Sequence, residues 1–198
     1  MTANFANAGV FLVQTFLGLY LILLLVRFLM QVSRADYYNP ICQAVVKLTD
    51  PVVRPLKPLI PSFQRIDLAT LIVALFVQTS AISIIMMLTG NQIFHPAYIL
   101  WGLVGLASII LDIYFFSLLV MVIASWIAPY SNHPAMTLIN QLTDPICAPA
   151  RKLLPPMGGL DFSIILVFVI ITLIDSFLMI KPLAMALGIP SGLIMGLN

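Results

Sequence analysis

The tetrapeptide Leu-Thr-Asp-Pro occurs at Leu48–Pro51 and again at Leu142–Pro145, each time between two long apolar runs. At this fixed offset of 94, without gaps, Pro40 meets Pro134, Pro55 meets Pro149, Leu59 meets Leu153, Pro61 meets Pro155 and Asp67 meets Asp161. Upstream, Tyr20 meets Tyr114 and Leu24-Leu25-Val26 meets Leu118-Leu119-Val120. Apolar runs resemble one another cheaply, whereas matched Pro and Asp constrain backbone and helix caps, so they carry the weight. A helix–linker–helix unit has been duplicated. The repeats cover 9–89 and 99–182, with polar linkers at 32–67 and 129–161 and an apolar tail at 183–198.

Such a unit belongs in a membrane. With 62% hydrophobic and 8% charged residues, the chain falls far below the quarter or so charged that soluble domains carry. Runs near Gly9–Gln31, Leu68–Thr89, Ile99–Ala128 and Phe162–Ile180 each approach the roughly 20 residues that cross a hydrocarbon core. Lipid offers the backbone no partners, and these runs do not alternate apolar with polar, so helices are expected rather than a barrel. The expected fold is an all-α integral membrane protein with four spans in two parallel repeats. The first run has no basic residue before it and no small-residue cleavage site after it, so it is expected to remain as a span.

Basic residues concentrate in the linkers: Arg34, Lys47, Arg54, Lys57 and Arg65 in the first, Arg151 and Lys152 in the second. The Gly90–Tyr98 connection has none. The positive-inside rule then puts both linkers in the cytoplasm and both termini in the periplasm. A net charge of +2 gives no reason to expect nucleic acid. Cys42 and Cys147 are not repeat equivalents and lack CxxC or nearby His partners, so both read as free, inert thiols.

The linkers are written in helix punctuation. Asn39-Pro40 opens a short amphipathic segment with Ile41, Val45 and Leu48 on one stripe; after Pro134 the stripe is Ala135, Leu138, Ile139 and Leu142. Asp50-Pro51 and Asp144-Pro145 are expected to end these helices in sharp turns, because the residue before proline avoids the α region. Asp67 and Asp161 precede apolar runs, where a carboxylate caps a helix and complements its dipole.

The second copy resembles the YggT family of small bacterial membrane proteins. The resemblance is carried by Ser125-Trp126, His133-Pro134, Leu142-Thr143-Asp144-Pro145, Pro149, Arg151, Pro155, Gly158-Gly159 and Leu160-Asp161-Phe162-Ser163. The first copy is similar but departs from it, with Val32, Lys57 and Gln64-Arg65 at the positions of the Trp, the Arg and the double glycine. The resemblance implies a bacterial inner membrane and a link to osmotic and cation tolerance or envelope organisation; it implies no catalytic set and no cofactor.

Three ionisable residues lie within the runs: Arg27, Asp112 and Asp175. Charge at a helix centre costs about 2.5–3.5 kcal/mol on insertion scales and invites a functional reading. Arg27 lies roughly 10 Å from Arg34 along the axis and reads as a snorkelling anchor. Asp112 and Asp175 sit roughly 21–26 Å from the linker side, with Gly18 and Ala81 at their repeat-equivalent positions. Facing each other, they would form a cation or proton site.

Neither His95 nor His133 lies in a span, and HExxH, P-loop and dinucleotide motifs are absent, so no catalytic, metal or cofactor site is expected. Gly102, Gly105 and Ser108 form a small-residue strip for close helix packing or self-association into a homo-oligomer. Tyr98 and Trp101 read as outer interface anchors, Trp126 and Tyr130 as inner ones.

Two functions follow. One is a non-enzymatic membrane scaffold whose linkers dock a protein partner through Asp50, Pro51, Trp126, Pro134, Asp144, Pro145, Arg151, Pro155, Gly158, Gly159 and Asp161. The other is a small cation channel or transporter using Asp112 and Asp175.

Overall fold

The computed structural model describes residues 2–60, 66–127, 132–154, 161, 163–190 and 192–193. Helices α1 (Thr2–Val32) and α3 (Leu68–Leu88) are the spans of the first repeat, and α2 (Pro40–Val53) is its linker helix. In the second repeat α4 (Ala97–Ile127) leads to the linker helix α5 (Pro134–Leu153) and then to α6 (Ser163–Leu173). A π-helical turn at Ile174–Leu178 and helix α7 (Ile180–Ala186) complete the last span. The four stretches Phe5–Val32, Leu68–Leu88, Ala97–Ile127 and Ser163–Ala186 are long and apolar enough to cross a membrane. Their outer faces show Phe11, Phe16, Phe76 and Phe116 to the surroundings, as suits helices whose solvent is lipid.

The caps are those the punctuation demands. Asn39 accepts from the Ile41 amide and His133, its repeat equivalent, accepts from the Ala135 amide, each ahead of a first-turn proline. Asp67 accepts from the amide and hydroxyl of Thr70 at the start of α3. Asp161 takes the amide and hydroxyl of Ser163 at the start of α6. The first span turns into its linker through Arg34, whose φ of 56° is left-handed, with the Ala35 amide reaching back to the Met30 carbonyl. This is a Schellman-type end to α1.

At the Asp-Pro steps the structure departs from expectation. Helix α2 runs through Pro51, and α5 runs through both Pro145 and Pro149. A proline inside a helix denies a hydrogen bond to the carbonyl four residues back. Here those carbonyls belong to Lys47, Gln141 and Pro145, residues that are exposed or half-exposed, and the prolines are themselves exposed. The preceding threonines bond back into the helix, Thr49 to the Val45 carbonyl and Thr143 to the Ile139 carbonyl. Leu-Thr-Asp-Pro therefore continues a helix instead of ending it.

The buried stripe of α2 is Cys42, Val45, Thr49 and Val53, turned one residue from Ile41/Val45/Leu48, and Leu48 is exposed. In α5 the stripe is Leu138, Leu142, Thr143, Cys147 and Ala150.

Packing differs between the repeats. Helices α1 and α3 form the most extensive pairing in the molecule, with α3 also lying against α4. Gly102 lets α4 approach α3: a Cβ there would meet Leu75 Cδ1 and Thr79 Oγ1 at 3.1 Å. In the second repeat α4 and α6 touch little, and α5 packs against both. Leu118 of α4, Cys147 and Ala150 of α5, and Val167 and Ile171 of α6 form that contact.

On the side opposite the linkers the tail folds back. Tyr98 and Trp101 are buried there with Ile180, Ala184 and Leu193. Trp101 Nε1 donates to the Leu187 carbonyl and the Tyr98 hydroxyl donates to the Gln92 carbonyl. These two aromatics are thus core residues and not exposed interface anchors, because the tail covers them.

Candidate functional site

The linker side carries most of the ion pairs. Arg27 on α1 points into the first linker, where its Nη1 donates to Thr49 Oγ1 and its Nη2 to Asp50 Oδ1, both at 2.7 Å. A longer contact of 3.5 Å reaches the Val46 carbonyl. The arginine side chain is 5% exposed and that of Asp50 38%. Arg27 is therefore a clamp between span and linker, which replaces the snorkelling reading. Its repeat equivalent is Met121, whose sulfur lies 3.7 Å from Thr143 Oγ1. Nothing in the linear spacing links Arg27 to Asp50; the absence of a charge at the equivalent position of the second copy was the available signal.

The second repeat uses a different cation. Arg151 on α5 bridges Asp144 and Asp161, each at 3.0 Å. The hydrogen bond to Asp161 and its charge hold the guanidinium pKa above its ordinary value. Burial works to raise the Asp161 carboxyl, but hydrogen bonds from Ser163 and Arg151 outweigh it and hold the pKa below the usual carboxylate range. The equivalent pair in the first repeat, Lys57 and Asp67, is looser at 3.5 Å.

Two hydrogen bonds join the linkers to each other: Asn39 Nδ2 donates to the Pro134 carbonyl at 2.7 Å, and the Asp36 amide donates to Gln141 Oε1 at 3.0 Å. Beneath them Leu29, Met30, Cys42, Val45, Leu138 and Leu142 form one apolar cluster shared by α1, α2 and α5. The two linkers make a single platform. Around it Tyr38, Leu48, Leu59, Leu153 and Trp126 are exposed, Tyr38 by 90%. Pro51, Asp144 and Pro145 lie on its exposed side, and Pro134 is half-exposed. The motif residues Pro155, Gly158 and Gly159, with Pro61, Arg65 and Tyr130, lie outside the described residues. Cys42 and Cys147 are free and buried, and burial pushes both thiols up in pKa.

Asp112 and Asp175 have different surroundings. Asp175, in the π-helical turn, lies 3.8 Å from Lys181. Asp112, in the middle of α4, lines a cavity of about 740 Å³ between α1 and α4. Asp175 is not among that cavity's lining residues. Among the described residues no group of three or more His, Cys, Asp or Glu is placed to hold a metal ion.

Four apolar spans in two like-oriented repeats, joined through one linker platform, define a duplicated polytopic α-helical membrane protein. Residues 6–88 and 100–181 each match the CCB3/YggT family, and the chain belongs to that family. It is similar to protein PA0392 of Pseudomonas aeruginosa, 42% identical over 189 residues that cover 94% of this chain and 95% of the relative. Protein YggT of Escherichia coli K12 is 38% identical over 170 residues, covering 85% and 88%. A protein from the proC 3' region of Vibrio alginolyticus is 37% identical over 165 residues, covering 82% and 89%. None of these relatives carries an enzymatic name. No solved structure matches the chain.

Proposed function

We propose that this protein is a non-enzymatic scaffold of the bacterial inner membrane, and that its fused linkers are a cytoplasmic docking platform for a protein partner. The observation that carries this reading is the bonding of the two linkers to each other through Asn39–Pro134 and Asp36–Gln141. Bonds between the linkers give them one fixed shape, which a docking surface needs. The basic residues Arg34, Lys47, Arg54, Lys57 and Lys152 are exposed around the platform, which supports a cytoplasmic linker side and periplasmic termini. Exposed Tyr38, Leu48 and Trp126 supply the aromatic and aliphatic anchors that interfaces favour. On this reading the tolerance to osmotic and cation stress implied by the family resemblance is indirect, acting through complexes the platform organises.

Photo-crosslinkers at Tyr38, Leu48 and Trp126 in intact cells should yield one discrete partner adduct, with none from lipid-facing Phe76. Asp144→Ala with Arg151→Ala should weaken that adduct. Undiminished adducts and an unaltered envelope phenotype in that variant would end the proposal.

A further inference from the structure

All seven acidic residues of the chain are aspartates. Asp36 accepts from the Tyr38 amide, and Asp50, Asp67, Asp144, Asp161 and Asp175 each face a Lys or Arg. Asp112 alone, among the described residues, accepts no hydrogen bond and makes no ion pair. It is half-buried at mid-span, where an ionised carboxylate is costly and calls for a counter-charge. Lys181 makes its ion pair with Asp175, and these two opposite charges act on Asp112 only through space.

The space before Asp112 is shaped for an occupant. The cavity follows α1 from Gln14 to Val26, roughly 18 Å at 1.5 Å per residue. Gly18, the repeat equivalent of Asp112, also lines it; one repeat brings the carboxylate and the other leaves room opposite. Phe116, one helical turn from Asp112, lines the same space. The rim residues Leu19, Ile22, Phe116 and Val120 are exposed on the lipid-facing surface, so the mouth opens sideways into the bilayer.

Besides Asp112, the polar side chains in the lining are Gln14, Thr15 and Ser117. Thr15 Oγ1 donates to the Phe11 carbonyl and Gln14 Nε2 to the Gly192 carbonyl. An inorganic cation needs a shell of oxygens to replace its water, and here the oxygen-bearing side chains, Gln14, Thr15, Asp112 and Ser117, are set along a wall that is otherwise apolar. A carboxylate, an aromatic face and apolar walls instead suit a cation whose charge is already wrapped in hydrocarbon.

We infer that the α1–α4 groove is a binding site for a lipophilic organic cation, reached from the membrane, with Asp112 as its counter-charge and Phe116 and the Gly18 gap as its walls. The inference does not rest on the docking reading, although Ile139 of α5 also lines the groove. It narrows a cation role to Asp112 and leaves Asp175 with Lys181.

The test is binding of tritiated tetraphenylphosphonium to the full-length protein in phosphatidylcholine nanodiscs. Wild type should bind saturably. Asp112→Asn should weaken binding by about tenfold or more, as loss of a charge pair in a low dielectric predicts. Gly18→Leu, which fills the groove without touching a charge, should do the same, while Asp175→Asn, whose charge acts on Asp112 only through space, should change affinity far less than Asp112→Asn. Triphenylphosphine oxide, which is neutral, and RbCl beyond the effect of equal NaCl, should not displace the probe. Unfolding temperatures establish that each variant is folded, and Asp112→Glu, which keeps the charge, should retain binding. No saturable binding by wild type, equal binding by Asp112→Asn, or specific displacement by Rb⁺ would overturn the inference.

Discussion

The two copies of Leu-Thr-Asp-Pro share a sequence and are held by different arginines. In the first repeat the clamp is inside: Arg27 comes from the span, is almost fully covered, and grips Thr49 and Asp50 while α1 and α3 pack along their length. In the second the clamp is outside: Arg151 comes from the linker itself, half-exposed, and ties Asp144 to Asp161. Met121 takes the place of Arg27, α5 wedges between α4 and α6, and an apolar cavity of about 400 Å³ bounded by Tyr114, Pro145, Pro149 and Ile171 remains there. Duplication therefore conserved the helix-continuing Thr-Asp-Pro step and let the electrostatics diverge. The first repeat is clamped from within, and the second is held at its exposed side around a cavity.

The sharpest break in this comparison is Asp50→Ala. It leaves a covered guanidinium without its counter-charge; with Asp50 itself 38% exposed, the cost falls short of that of a fully buried pair and is about 2–3 kcal/mol. Detergent-micelle unfolding should show a large loss, and Arg27→Met, which copies the second repeat, should restore much of it. If the double variant is no more stable than Asp50→Ala alone, Arg27 is not a buried clamp.

Asp161→Asn should cost less, about 1–2 kcal/mol, through the loss of the charge paired with Arg151, since Asn can still accept from the Ser163 amide. It also carries a pH signature. The folded Asp161 pKa lies below its unfolded value, which is near 3.9 for Asp. Its stabilisation is complete above that value and is lost as pH falls through the lower, folded one. Wild type should therefore lose stability below about pH 4 by a component that Asp161→Asn lacks; identical acid profiles would refute the assignment.

Asp144→Ala should move stability least, by less than about 1 kcal/mol, because its pair with Arg151 is wet on both sides. An effect as large as that of Asp50→Ala would abolish the contrast between the repeats.

Much of this architecture was legible in the chain. Lipid permits few answers, so the four spans and their parallel repeats followed from apolar length and the 94-residue offset. Asn39, Asp67 and Asp161 were readable as caps because each stands immediately before a helix it can serve. The interior of the linker helices was not readable. A proline is better tolerated within a helix where the carbonyl it frees can meet water, and the exposure of Lys47 and Pro145 is a tertiary property. Trp101 and Tyr98 carried an interface signature, yet a tail some 80 residues away in sequence covers them. The bonds joining Asn39 to Pro134 and Asp36 to Gln141 had no linear signal at all. As for Asp112 and Asp175, sequence depth put them at one level, but only their surroundings separate an ion-paired aspartate from one that lines a groove.

The claim on which the account turns is that the two linkers are one body. Spin labels at Lys47→Cys and Asn140→Cys, both exposed, report it directly by pulsed electron–electron distance measurement in proteoliposomes, with buried Cys42 and Cys147 shielded from labelling. A fused platform gives a single narrow distance distribution that broadens when Asn39→Ala and Gln141→Ala are combined. A broad or two-peaked distribution in the otherwise unaltered protein would show independent linkers and contradict a fused platform.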